Sequence, residues 1–225
     1  KKRKQLIKGM QRSGRYIPMI EKMLREEGMP LDLIYMVPAE SNFSVHSRSK
    51  KSAVGLWQFI ASTGRIYGLK INRWIDERRD PVLATKAAIT YLKHLYGIFG
   101  DWELAMAAYN TGEGRVNRAI IRAKRKGKKY NFWSLRLPRE TRGYVPTIMA
   151  MAVIYKNPQR YGFGHVRKLT PMDETKASLP VAFSLEEVAK RSKMSFRALR
   201  DKNPALFLGV PPMTQERYSF YVPQE

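Results

Sequence analysis

At 225 residues, 44% apolar and 27% charged, the chain is long enough to bury a core of one domain or two and too apolar to be disordered. It has no cysteine, which excludes a disulfide framework, a zinc–thiolate site and a thiol nucleophile, and His46, His94 and His165 stand too far apart to form a ligand pair, so no metal is expected. The net charge of +23 fits three kinds of partner: nucleic acid, an anionic membrane face, or an acidic polymer such as cell-wall material. Leu6, Ile7 and Met10 in the basic first fifteen residues predict a short helix that Gly14 interrupts. Pro18 suits the first turn of a second helix, with Ile17, Ile20, Met23 and Leu24 on one face and Gly28 past its end.

After Pro30 comes an unbroken apolar run, Leu33 to Ala39, that ends in Glu40. Residues 42–52 turn polar and read as a loop, and a helix is predicted from near Gly55 to Tyr67, closed by Gly68. Asp80-Pro81 is a strong helix start, an acidic N-cap followed by proline in the first turn. Val82, Ala84, Ala88, Tyr91, Leu92, Leu95 and Tyr96 then recur at helical spacing as far as Phe99. Gly100-Asp101 breaks the pattern; helices over 102–109 and 114–125 follow, the latter running into a solvated basic cluster, Lys124 to Lys129. Pro138 opens a last long helix to about Tyr155, with a kink expected at Pro146. The longest apolar stretch, Val145 to Tyr155, is 11 residues and well short of a bilayer span, and no signal peptide is visible.

Beyond Tyr161-Gly162-Phe163-Gly164 the texture changes. A strand is predicted over 179–183, a helix opened by the capping box Ser184 to Glu187, a second helix after Ser195, and a strand over 218–222. The fold class expected is mainly α: an all-α domain over residues 1–165, then a linker and a small β-α-α-β unit over 166–225.

Four short stretches carry chemistry. An acid at the tip of an apolar segment, as Glu40 is, loses hydration; its pKa rises and it keeps a proton to donate. Gly55-Leu56-Trp57-Gln58 adds an amide that both donates and accepts. Ala108-Tyr109-Asn110-Thr111-Gly112 places an aromatic and an amide at a helix end, and Glu140 and Tyr144 share a helix face by their spacing of four. Each has a plain alternative: a solvated helix-end glutamate for Glu40, core aromatics for Trp57 and Tyr109, a helix cap for Asn110, and a first-turn acid for Glu140. Their joint occurrence in this order is what departs from chance.

In these motifs the sequence resembles the lytic murein transglycosylases of the lysozyme-like soluble type, glycoside hydrolase family 23. Glu40-Ser41 matches the family's catalytic pair, Gly55 to Gln58 its G-L-x-Q, Ala108 to Gly112 its A-Y-N-x-G, and Glu140-Thr141 with Tyr144-Val145 its fourth motif. Ser62 to Arg65, Arg78-Arg79-Asp80, Gly112 to Val116 and Phe132 to Leu135 match the membrane-bound D branch of that family. The resemblance covers about residues 15–165, and more weakly a LysM-like segment over about 175–225. It implies a lysozyme-like catalytic domain in which Glu40 protonates the bond between N-acetylmuramic acid and N-acetylglucosamine. As carboxylate, Glu40 then takes the proton of the sugar's C6 hydroxyl, closing a 1,6-anhydro ring. Tyr144 is implied to orient that carboxylate, and Ser49, Trp57, Gln58, Tyr109, Asn110 and Glu140 are implied to bind the glycan. Ser44-Val45-His46 stands where the family usually has Asn or Asp followed by Pro, so the loop after the acid departs from the pattern.

The implied setting is the periplasm or cell envelope, with outer-membrane anchoring expected through a segment ahead of Lys1. Glycan strands are the expected partner and an anionic envelope surface a second; no cofactor and no nucleic acid are implied, and a monomer is expected. A hydrolytic muramidase on the same fold, a wall-binding protein without catalysis and a basic nucleic-acid binder stay open as alternatives. The last would leave the ordered motifs unexplained, since no helix-turn-helix, zinc or RNP signature appears.

Overall fold

A computed structural model of the chain describes residues 2–172, 175–180, 183–211 and 216–222. Its first helix corrects the sequence reading. α1 (Lys2–Glu26) is one continuous helix with Pro18 inside it, and Gly14 does not break it. The glycine serves a different purpose: a Cβ there would lie 2.3 Å from the carbonyl oxygen of Leu169. The segment after the last long helix crosses α1 at this point, and the amides of Leu169 and Met172 donate to the carbonyls of Gln11 and Arg15 (2.8 and 2.9 Å).

The apolar run folds as a 3-10 helix (Leu31–Tyr35) leading directly into α2 (Met36–Ser41). The predicted helix from Gly55 is shorter than expected. Residues 55–58 form a tight turn, with Val54 bridged to Phe59, and α3 (Ala61–Ile66) begins only afterwards. Gly55 and Gln58 both have left-handed backbones (φ 87° and 51°), which a helix cannot contain.

A 3-10 turn (Glu77–Arg79) precedes α4 (Pro81–Phe99), whose cap is as read: Asp80 accepts from the amides of Val82 and Leu83, both at 2.9 Å. α5 (Trp102–Thr111), α6 (Glu113–Arg125) and α7 (Arg139–Lys156) follow, with Pro146 held inside α7. α4 supplies fully buried Ala84, Ala88, Leu92 and Leu95 to the main core, with α1, the α2 segment, α5 and α7 packed around it.

In the tail, β1 (Lys176–Pro180) pairs antiparallel with β2 (Arg217–Tyr221), Ser178 opposite Ser219, and between them lie α8 (Leu185–Arg191) and α9 (Phe196–Lys202). The β-α-α-β order is as predicted, and Ser184 forms a complete capping box. The first strand starts earlier than predicted, at Lys176; Val181 and Ala182 of the predicted strand lie outside the described residues. The tail builds its own core from Leu185, Val188, Leu199, Leu206 and Phe220, and Ile75, from the loop before α4, belongs to that core. The joint is completed by the Asp76 amide donating to Ala205 (2.9 Å), the Phe207 amide donating to Trp74 (3.2 Å) and the Tyr221 hydroxyl donating to Asp80 (3.1 Å).

Candidate active site

Leu33, Ile34, Met36 and Val37 are all but inaccessible, and they seat the short α2 in the core with Glu40 in its last turn. Asn42 and Phe43 then adopt left-handed backbones (φ 50° and 55°), and Phe43 is completely buried. This reverses the chain just past the acid. Ser41, beside it, donates to the carbonyl of Leu56 at 2.8 Å, tying α2 to the 55–58 turn. Burial pushes the Glu40 carboxyl up from its ordinary 4.5 to about 7; the hydrogen bond from Tyr144 opposes the rise, and the charge of Glu140 adds to it. The Tyr144 hydroxyl donates to Glu40 Oε1 at 2.5 Å. At neutral pH Glu40 therefore spends much of its time as an acid with a proton to give.

The turn that receives Ser41 is held from behind. A Cβ on Gly55 would lie 1.8 Å from the Arg78 carbonyl oxygen, so only glycine fits there. Arg78 is buried; it forms a two-pronged pair with Asp76 (both contacts 2.8 Å) and donates to the carbonyls of Ser52 (3.0 Å) and Phe59 (3.1 Å). A guanidinium is suited to this, since its planar donors reach several acceptors in fixed directions. The Gln58 amide nitrogen donates to Gly55 (2.9 Å) and Ser47 (3.2 Å), which leaves its amide oxygen without a partner among the described residues.

Trp57 does not join the site. It is fully buried and its Nε1 donates to Thr85 at 2.9 Å, so the implied sugar contact is replaced by a core role. Its backbone carbonyl contributes instead, accepting from the Tyr109 hydroxyl at 2.8 Å. Asn110, next to Tyr109 on α5, accepts from Thr141 at 2.9 Å through Oδ1, leaving its amide nitrogen to donate. Ser49 accepts from the amides of Lys51 (3.2 Å) and Ala53 (3.1 Å), so its hydroxyl proton stays available. Glu140 is exposed and faces Lys51 at 3.7 Å.

Glu40, Ser49, Gln58, Tyr109, Asn110 and Glu140 line one cleft of about 550 Å³. A second hollow of about 590 Å³ shares Glu40, Asn110 and Glu140 and continues along Arg139, Gly143 and Tyr144. The acid thus stands in a groove that runs past it in both directions, with amides, hydroxyls and aromatic rings on its walls. That is a surface for an extended polar chain with apolar faces. Among the described residues no group of three or more His, Cys, Asp or Glu side chains is gathered that could hold a metal ion. Sequence reading missed Thr141 and Arg78 as supports. Both stood inside recognised motifs, but nothing local marks a threonine or an arginine as inward-facing.

The transglycosylase SLT domain profile matches residues 18–132, which include Glu40, Gln58, Tyr109 and Asn110 and stop short of Glu140 and Tyr144. The chain belongs to this family. It is 44% identical over 186 residues to membrane-bound lytic murein transglycosylase D of Escherichia coli strain K12, covering 82% of this chain and 40% of that protein. Peptidoglycan transglycosylase gp16 of Escherichia phage T7 is 30% identical over 183 residues, 80% of this chain and 13% of that one. The chain therefore spans two fifths or less of these two relatives. Among solved structures, the 70 kDa soluble lytic transglycosylase of Escherichia coli aligns with a TM-score of 0.51 over 67% of this chain and 25% of its own, at 23% identity, which marks a shared fold.

Proposed function

We propose that this SLT-family chain is a peptidoglycan lytic transglycosylase with one catalytic carboxylate, breaking the β-1,4 bond from N-acetylmuramic acid to N-acetylglucosamine without consuming water. The observation that carries this reading is Glu40 itself: partly buried, with a carboxyl pushed up to about 7 so that it is about half protonated near neutrality, and hydrogen-bonded to Tyr144 in the middle of a through-going groove. Glu40 gives its proton to the glycosidic oxygen as the bond breaks. The resulting carboxylate accepts the C6 hydroxyl proton while that oxygen closes on C1, so the acid is regenerated and the product ends in a 1,6-anhydro ring. Tyr144 steadies the carboxylate between the two steps. Gln58 offers an acceptor, Asn110 and Ser49 offer donors, and Tyr109 offers a ring face to the sugars.

A hydrolytic muramidase is the second reading, and Glu140 is the observation in its favour, since a second carboxylate in the same groove is what water activation needs. Against it, Glu140 is exposed and paired with Lys51. Mass spectrometry of digested peptidoglycan separates the two: anhydro ends are lighter than reducing ends by one water. Glu40→Gln keeps the shape and removes the proton, and cleavage should fall at least a thousandfold. Turnover within tenfold of the parent would sink both readings.

The rest of the proposal concerns setting. The division into a catalytic part (1–165) and a LysM-like tail (166–225) accords with the two separate hydrophobic cores, although Ile75 crosses between them. An envelope location accords with the membrane-bound relative and with the +23 charge, which would favour retention on acidic wall polymer or anionic lipid. No described helix is long and apolar enough to cross a membrane.

A further inference from the structure

α6 turns one face inward and leaves the other to solvent. Val116, Ala119 and Ile120 are buried, while exposed Arg115, Arg118, Arg122 and Arg125 recur at spacings of three and four on the outward side. This ridge belongs to a longer basic surface: from Gly114 to Arg139 the chain carries ten Lys and Arg residues and no Asp or Glu. Large apolar side chains stand in the open beside it. Ile121 on α6 is 40% exposed, and in the loop that follows Tyr130 is 39% and Trp133 58% exposed. Lys124 Nζ sits 5.2 Å from the Tyr130 ring centre, which holds this loop against the last turn of α6. The Trp133 ring meets buried Phe132 nearly at right angles, with 5.0 Å between centroids.

Folding alone does not account for the ridge. Like charges three and four residues apart repel one another along a helix. The helix dipole favours Arg122 and Arg125 in the last turn, but it disfavours Arg115 in the first and gives nothing to Arg118 in the middle. Arg115 donates to Thr111 at 3.3 Å; among the described residues Arg118, Arg122 and Arg125 have neither an ion pair nor a hydrogen bond. None of the four lines the groove around Glu40. A row of unpaired guanidinium groups matches a row of phosphates, each of which it can grip through two donors at once. The exposed tryptophan, tyrosine and isoleucine narrow the choice among phosphate-bearing partners. Such side chains settle at the level of lipid headgroups, their apolar parts toward the acyl chains.

We propose that the outer face of α6, with the loop over 126–133, docks the protein on an anionic phospholipid surface. The arginines take the lipid phosphates, while Trp133, Tyr130 and Ile121 settle among the headgroups. The contact is peripheral and calls for no membrane-crossing helix. It sharpens the envelope setting proposed above and is independent of the cleavage chemistry. Attraction of this kind reaches about one Debye length, so salt weakens it.

The test is co-sedimentation of the full chain with vesicles of phosphatidylcholine, alone or mixed with phosphatidylglycerol. The protein should bind the mixed vesicles only, and less as salt rises. Arg118→Gln, Arg122→Gln and Arg125→Gln together, at exposed positions where folding is not at stake, should weaken that binding by about a hundredfold. Lys4→Gln, Lys8→Gln and Lys22→Gln remove the same charge from exposed positions on α1 and should weaken it by less than about threefold. Trp133→Ser should cost a severalfold share of the affinity. Both triple variants should cleave solubilised glycan strands as the parent does, since none of the changed residues lines the groove. Equal losses from the two triple variants, or no loss from Trp133→Ser, would overturn the docking face. Arginine-dependent binding to purified sacculi or to duplex DNA, without binding to vesicles, would overturn the lipid assignment.

Discussion

The two walls of the cleft are built on different principles. On one side, Ser41, Gln58, Tyr109, Asn110 and Tyr144 are cross-linked: α2 to the 55–58 turn, α5 to that same turn, α7 to α5 through Thr141, and α7 to the acid. Most of these bonds join segments tens of residues apart, and the turn they converge on is pinned from behind by Arg78 and Asp76. On the other side, Ser49, Lys50 and Lys51 sit on an exposed loop held mostly by its own short-range bonds and one solvent-exposed ion pair, with a long-range bond from Arg78 reaching it at the Ser52 carbonyl. The difference is one of construction: the wall that carries the Glu40 carboxylate is the rigid, cross-linked one, and the facing loop is held more loosely.

Breaking the rigid wall should have the largest effect. Arg78→Met leaves Asp76 buried without its partner and strips donors from the Ser52 and Phe59 carbonyls, so stability should fall by about 3–5 kcal/mol in denaturant titration. A loss under about 1 kcal/mol would mean that the turn does not depend on its clamp.

The acid itself comes next. The Glu40 carboxyl binds its proton more tightly folded than unfolded, so its contribution to stability is fully present below pH 4.5 and is lost as pH rises through about 7. Glu40→Gln has no such loss. That variant should match the parent below pH 4.5 and be the more stable by roughly 3 kcal/mol above pH 7, which thermal unfolding across the pH range would reveal. Equal stability at all pH values would show that the carboxyl is not desolvated.

Tyr144→Phe removes the hydrogen bond that holds the Glu40 pKa down. Cleavage should fall by roughly ten- to hundredfold, and the descending limb of the pH–rate profile should move to higher pH. A slower enzyme with an unmoved limb would place Tyr144 in packing rather than in tuning the acid. The loose wall should give least: Lys51→Ala breaks an exposed pair at 3.7 Å, and activity should change by less than about threefold. A larger drop would mean that this loop also aims the substrate.

Much of this was legible in the residues. The helix starts at Asp80 and Ser184, the mainly α body, the β-α-α-β order of the tail and the desolvated position of Glu40 all follow from neighbours a few residues away. Capping, periodicity and the greasiness of residues 33–39 are local properties, and a chain carries them wherever it folds. The order of the four motifs also named the walls of the groove before any distance was known.

What the tertiary structure decided lies further apart in sequence. Gly14 looked like a helix breaker because glycine weakens helices; it is a crossing point because residues 168–172 return to lie on it. The family resemblance implied a sugar contact for Trp57, but its ring is core, with Thr85, 28 residues on, meeting its ring nitrogen. Arg78 reads as one surface cation among 42 Lys and Arg residues until the carbonyls of Ser52 and Phe59, 26 and 19 residues away, turn it inward. Side-chain burial is a property of whichever segments come back to cover a position, and no periodicity records that. So the sequence alone determined that Glu40 is an acid poised on an apolar segment. Only the fold decided which side chains steady it, which line its groove, and which merely hold the walls in place.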